Sequence, residues 1–142
     1  MNKVAIVYWS GTGNTQAMAE EAARAAQAAG ADAALFTAAE FSASRVDDFD
    51  AIGFGCPAMG AEVLEESEFE PLFTECEPKL KGKKIALFGS YDWGDGEWMR
   101  SWSERCNAAG AVLAVESVIA NNAPDAGAFA SCAALGAALA SA

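Results

Sequence analysis

The chain has no histidine in its 142 residues. That absence removes the Ser-His-Asp and Cys-His nucleophilic machineries and every His-ligated metal site. Basic residues are also scarce. Nine Lys and Arg stand against 20 Asp and Glu, a formal charge of −11, which argues against nucleic acid and anionic membranes as partners. No apolar run approaches the ~20 residues of a membrane span. Cys56, Cys76, Cys106 and Cys132 form no C-x-x-C pair, so neither a zinc ribbon nor an iron–sulfur motif is written here. The start runs from Met1-Asn2-Lys3 straight into Val4-Ala5-Ile6-Val7-Tyr8, without the basic and apolar regions of a secretory signal. A reduced, cytoplasmic protein is expected.

What is present is a regular alternation. Apolar runs of strand length at 4–9, 31–36, 50–56, 83–89 and 111–118 alternate with helix-type segments at 14–29, 42–47, 65–76, 97–109 and 125–140. The first run is almost continuously apolar, as in a strand covered on both faces. The segment after it is rich in alanine and glutamate and closes at Gly30, as a helix should. Strands each followed by a helix predict an α/β fold, a single domain over 1–142 with a doubly wound five-stranded parallel sheet and helices on both faces. Ligands of such sheets lie beyond the C-terminal strand ends, which singles out the loops at 9–15, 56–62, 89–97 and 119–124.

The first loop, Ser10-Gly11-Thr12-Gly13-Asn14-Thr15, brings hydroxyls and glycines to a helix N-terminus, where unpaired N–H groups and the helix dipole favour an anion. It lacks the Gly-Lys-[Ser/Thr] ending of a Walker A loop, and Gln16 stands where the dinucleotide fingerprint has its third glycine. A phosphate cradle of neutral donors remains, beside the plainer reading of a Ser/Thr/Asn helix cap. Met59 and Trp93 sit in the next two loops. A tryptophan stacks on a planar ring and a thioether can cover its other face, although each could equally fill a packing gap. Cys56, next to Pro57, reads as core.

Val7-Tyr8-Trp9-Ser10-Gly11-Thr12-Gly13-Asn14-Thr15, Ala58-Met59-Gly60 through Glu66, and Leu87-Phe88-Gly89-Ser90-Tyr91 followed by Trp93-Gly94 closely resemble flavodoxins, in particular the short-chain type of clostridia and other anaerobes. The resemblance runs nearly end to end. It implies a 2-1-3-4-5 strand order and one non-covalently bound FMN. Ser10, Thr12, Asn14 and Thr15 would hold the phosphate with the amides of a loop that includes Gly11 and Gly13. Met59 and Trp93 would sandwich the isoalloxazine, with Pro57, Ala58 and Gly60 beside it and Glu62 accepting from flavin N3–H. Ser90, Tyr91, Asp92 and Trp93 would offer backbone to the pyrimidine edge, Gly94 follows in the same loop, and Asn122 would lie near the ribityl chain.

The function so implied is a low-potential one-electron carrier, monomeric and not an enzyme, cycling mainly between semiquinone and hydroquinone. Its acidic surface would meet basic docking faces on redox partner proteins. A turn over Met59–Glu62 with φ > 0 at Gly60 would be type II′ and would favour the flipped peptide that such proteins use on one-electron reduction. Glu62, Glu65, Glu66, Asp92, Asp95 and Glu97 would oppose a reduced, anionic flavin, or, for Glu65 and Glu66, form a solvated face. Asp92 and Ala61 depart from the residues usual in relatives. Two rivals remain: a receiver domain, which fails because Trp9-Ser10 and Cys56-Pro57 stand where it needs acids, and a small FMN-dependent NAD(P)H or quinone reductase, for which the chain offers no basic dinucleotide pocket.

Overall fold

In the computed structural model, which describes residues 2–142, strands and helices alternate as the periodicity predicts. They are β1 (Lys3–Tyr8), α1 (Asn14–Ala28), β2 (Asp32–Thr37), β3 (Ala51–Gly55), α2 (Phe69–Cys76), β4 (Lys84–Tyr91), α3 (Glu97–Ala108), β5 (Val112–Leu113), β6 (Val118–Asn121) and α4 (Ala126–Ala140). The sheet is parallel in the order β2-β1-β3-β4-β5, with β6 also on β4. The order reverses between β1 and β3, so the loops after these strands open side by side at the C-terminal pole. Two short 3-10 segments at Ala38–Glu40 and Ala43–Asp48 replace the short helix expected before β3. The segment from 65 to 68 stays outside α2 because the Glu65 carboxylate folds back onto the N–H groups that open the helix.

The expected strand over 111–118 is interrupted. Val112–Leu113 pairs with Lys84–Ile85 and Val118–Asn121 with Phe88–Tyr91, so the outer strand carries two residues more than β4 between the paired stretches. The surplus loops out around Val115–Ser117, a bulge that re-aims the rest of the strand. Asn121 thereby lies opposite Tyr91, and the Asn122 N–H donates to the Tyr91 carbonyl at 2.7 Å.

Two cores sandwich the sheet. On one face the small residues Ala19, Ala22, Ala23 and Ala26 of α1 meet Cys132, Leu135 and Leu139 of α4 over Val4, Ile6 and Phe88. On the other, aromatics dominate: Phe54 meets Phe73 edge-on at 5.1 Å, and Trp102 meets Phe69 and Phe73 at 5.5 and 5.6 Å. Arg105 ties this layer together. It grips Glu70 through two bonds (2.9 and 2.8 Å), reaches Glu77 at 3.1 and 3.0 Å, and lies over the Phe73 ring.

The α1–α4 crossing depends on Gly136, where a Cβ would press into the Ala22 carbonyl. Helix propensity favours alanine over glycine by about 1 kcal/mol, but overpacking against rigid backbone costs about 1–3 kcal/mol. Gly136→Ala should therefore lower stability in a urea unfolding curve. A more stable variant would mean that the helices separate freely.

Candidate functional site

The head of α1 is uncapped. Its N-cap is Gly13 at φ 97°, with no side-chain cap bond. Ser10 Oγ accepts from the Gly13 N–H (3.0 Å) and Thr12 Oγ1 from the Asn14 N–H (3.4 Å), which curls the loop. Among the described residues, the N–H groups of Gly11, Thr12, Thr15 and Gln16 meet no protein acceptor. Unpaired donors at the positive end of a helix are the arrangement to which an anion is attracted. The Thr15 hydroxyl turns inward and pairs with Ser90 Oγ at 3.0 Å.

A cleft of about 190 Å³ opens beside this head, lined by Trp9, Gly11, Thr12, Asn14, Pro57, Met59, Ser90, Tyr91, Asp92 and Asn122. Nine of these are residues expected from sequence, so the four loops converge as the strand order requires. Trp9 is the addition. It packs on Gly11, and its indole N–H donates to Glu68 Oε1 at 3.3 Å, bridging two loops. An aromatic at the last position before a glycine-rich loop was the signal available. Ser10, Gly13, Thr15, Ala58, Gly60, Glu62, Trp93 and Gly94 lie outside the cleft lining. Trp93 has 58 % of its surface exposed, whereas Met59 lines the wall. A larger open groove of about 590 Å³ lies along the sheet edge beside the interruption between β5 and β6, lined by Met99, Arg100, Val115 and Ile119 among others. None of the loops predicted to hold the phosphate enters it.

The loop after β3 corrects one expectation. The Glu62 N–H donates to the Met59 carbonyl (2.8 Å) and the Met59 N–H to the Val63 carbonyl (2.9 Å), so a turn over Met59–Glu62 exists. Yet Gly60 is not among the residues at positive φ, whereas Glu62 is, at 55°. The turn is therefore not type II′. With the left-handed residue fourth, it has the pattern of a type I turn closed by a bulge residue. In the loop after β4 the positive φ values fall on Gly94 (90°) and Gly96 (89°), and Asp92 is not among them.

Glu62 is held in a tight place. A Cβ on Gly94 would strike its carboxylate, and its Oε1 is buried with no hydrogen-bond partner among the described residues. Burial and the negative charges of Asp95 and Glu97 raise its pKa, with Arg100 pulling the other way. Glu65 has the opposite fate. It is buried, not a solvated face, and accepts from the Ser67 hydroxyl and from the N–H groups of Ser67, Glu68 and Phe69 at 2.8–2.9 Å. Burial opposes its charge, but these donors prevail and draw its pKa down to about 2.

The doubly wound sheet, the anion-ready helix head and the adjoining apolar-walled cleft define a ligand-carrying α/β protein of the doubly wound class. Comparison with known proteins narrows the class. The family model for flavodoxin matches residues 6–136. The flavodoxin of Megasphaera elsdenii is 54% identical over 125 residues, covering 86% of this chain and 88% of that protein, and that of Clostridium beijerinckii 49% over 120 residues, covering 84% and 87%. The solution structure of two-electron reduced Megasphaera elsdenii flavodoxin superposes with a TM-score of 0.90 at 50% identity, covering 98% and 99% of the two chains. The chain belongs to the flavodoxin family, as a short-chain member, and is an FMN-binding electron carrier.

Glu65 gives a pH signature. A carboxylate held at about 2 against an ordinary 4.5 stabilises the fold above its unfolded value and loses that contribution as pH falls from about 4.5 towards 2. Glu65→Gln should lower stability at pH 7 by about 1 kcal/mol, the scale of a lost N-cap. The gap to wild type should close in thermal melts below pH 4. A gap independent of pH would show that charge plays no part in the cap.

Proposed function

We propose that this flavodoxin works as a single-domain, monomeric, cytoplasmic carrier of low potential, passing single electrons through FMN seated in the cleft at the head of α1. The observation that carries the reading is the set of unpaired amides at that head, facing a cleft walled by Trp9, Met59 and Tyr91. The other features fit the same group. Among the described residues no aromatic ring stacks on the exposed Trp93 ring, and Glu62 presents an acceptor without a donor.

In this reading the phosphate rests on the unpaired N–H groups of Gly11, Thr12, Thr15 and Gln16 with Ser10, Thr12, Asn14 and Thr15 around it. Gly13 shapes the turn. Met59 and Trp93 flank the ring; Pro57, Ala58 and Gly60 shape one loop, and Ser90, Tyr91, Asp92 and Gly94 the other. Glu62 accepts from the ring edge, and Asn122 lies near the sugar chain. FMN supplies one-electron chemistry when bound. The chain's part is to exclude water from one side of the ring and to surround the other with negative charge. Glu62, Asp92, Asp95 and Glu97 make each added electron more costly, which lowers the potential.

Most cations lie at the opposite pole, where the strands begin: Lys3 opens β1 and Lys84 opens β4, with Lys79, Lys81 and Lys83 nearby. A molecule so polarised turns its acidic cleft towards a basic docking face, and the attraction weakens with salt. All four cysteines are buried and unpaired, as suits a reducing compartment, and among the described residues no helix is long and apolar enough to cross a membrane.

The test is titration of the apoprotein with FMN, followed by flavin fluorescence, and then stepwise reduction with dithionite. Stoichiometric uptake and two separated one-electron midpoints are expected. A protein that takes up no FMN overturns the site; simultaneous uptake of both electrons, or turnover of NAD(P)H by the protein alone, would favour a two-electron enzyme. Trp93→Ala should weaken FMN binding about tenfold, as ring stacking is worth ~1–2 kcal/mol. Unchanged affinity would remove Trp93 from the site.

A further inference from the structure

Every polar group of Ser90 is engaged, with partners from two different loops. The residue ends the buried stretch of β4 and is only 5 % exposed; Thr15, in the first turn of α1, is 1 % exposed. The Ser90 N–H donates to Thr15 Oγ1 at 3.3 Å, and the two hydroxyl oxygens lie 3.0 Å apart. The Ser90 carbonyl accepts from the Ala58 N–H at 3.0 Å, next to Met59. The following residue, Tyr91, lines the cleft, and its carbonyl accepts from Asn122 N–H. One buried residue thus touches the phosphate loop through Thr15 and the loop after β3 through Ala58, and leads into the loop that carries Trp93.

We propose that Ser90 is a positioning residue whose hydroxyl, paired with Thr15, couples the phosphate end of the cleft to the ring end. The proposal rests on the FMN reading of the site. A hydroxyl pair has two proton orders. With the helix head empty, Thr15 can donate to Ser90 Oγ. When an anion sits on the head, the Thr15 proton turns towards it, and Thr15 Oγ1 then accepts from both the N–H and the O–H of Ser90. Hydrogen bonds in such a chain strengthen one another, and the end of β4 is drawn onto α1. The walls at Ala58–Met59 and Tyr91 are fixed through the same residue, so they are set before the ring arrives. The coupling is reciprocal: each end tightens the other by the same factor.

The ligand can be cut at the coupled joint. Apoprotein is titrated with riboflavin, which has the ring and no phosphate, in the absence and presence of inorganic phosphate. Phosphate is raised until the Tm of each variant no longer moves. In the wild type, saturating phosphate should tighten riboflavin about fivefold or more. In Ser90→Ala the gain should fall below twofold. Thr15→Ser keeps the hydroxyl and should keep the gain. Each variant is its own reference, so a general loss of stability leaves the ratio unmoved. A wild-type gain below twofold, or an undiminished gain in Ser90→Ala, overturns the coupling. Loss of all phosphate binding in Ser90→Ala would assign Ser90 to the phosphate site itself and also overturn it. Failure of the wild type to bind FMN at all would instead strike the proposed function.

Discussion

The unpaired amides at the head of α1 are the constraint around which the rest is arranged. A chain of net charge −11 that carries a phosphorylated cofactor must find attraction for an anion inside its own repulsive field. A lysine would supply it, but it would also favour negative charge on whatever lies beside it. No cation lines the cleft among the described residues. In the proposed reading the attraction comes from oriented backbone dipoles, which act at short range and add no net charge. Gly13 at φ 97° starts the helix without a side-chain cap, leaving those N–H groups free for a guest.

Neutral donors are weak singly, so they must be placed well, and the seam between β3 and β4 provides the placement. Gly55 leaves room for the Phe88 ring, and at Gly89 the Cys56 carbonyl approaches so closely that a Cβ would collide with it. The same carbonyl accepts from the Trp98 indole at 3.1 Å. Two strands held this tightly end with their loops in register, which is why Ala58 meets Ser90 and why Thr15 reaches it from α1. The aromatic layer beneath, locked by Arg105 to Glu70 and Glu77, keeps α2 and α3 fixed below the loops. Above this base the loop tips reach solvent, with Gly60 and Trp93 exposed.

Strand and helix order was legible because buried parallel strands are written as unbroken apolar runs, and the loops at 10–15, 57–62 and 90–94 carried recognisable residues. Three things were not legible. The division of the last strand depends on a mismatch of two residues against β4, which only the pairing partner reveals. The path of 65–68 depends on Glu65 folding back onto the N–H groups of Ser67, Glu68 and Phe69; a run of acids looks solvated until its donors are located. The turn at Met59–Glu62 reads as one that uses glycine's freedom, but the strained position fell on Glu62. Local chemistry favoured Gly60; the requirement to bring the Val63 carbonyl back onto the Met59 N–H decided otherwise.

That outcome at Glu62 bears on the site itself. A left-handed glutamate is uncommon, because its Cβ crowds the following carbonyl, and the structure places it where glycine would be easier. The same side chain is wedged against Gly94, sits among Asp95 and Glu97, and leaves a buried oxygen without a donor. Strain, repulsion and an unmet acceptor at one residue do not stabilise the chain on its own. Such clusters persist where function uses them. In the proposed reading, a ring N–H meets the empty oxygen, and the charge of Glu62 resists the arrival of more negative charge on that ring. The features that make Glu62 unfavourable to the fold alone are then the ones that bind the cofactor and hold its potential low.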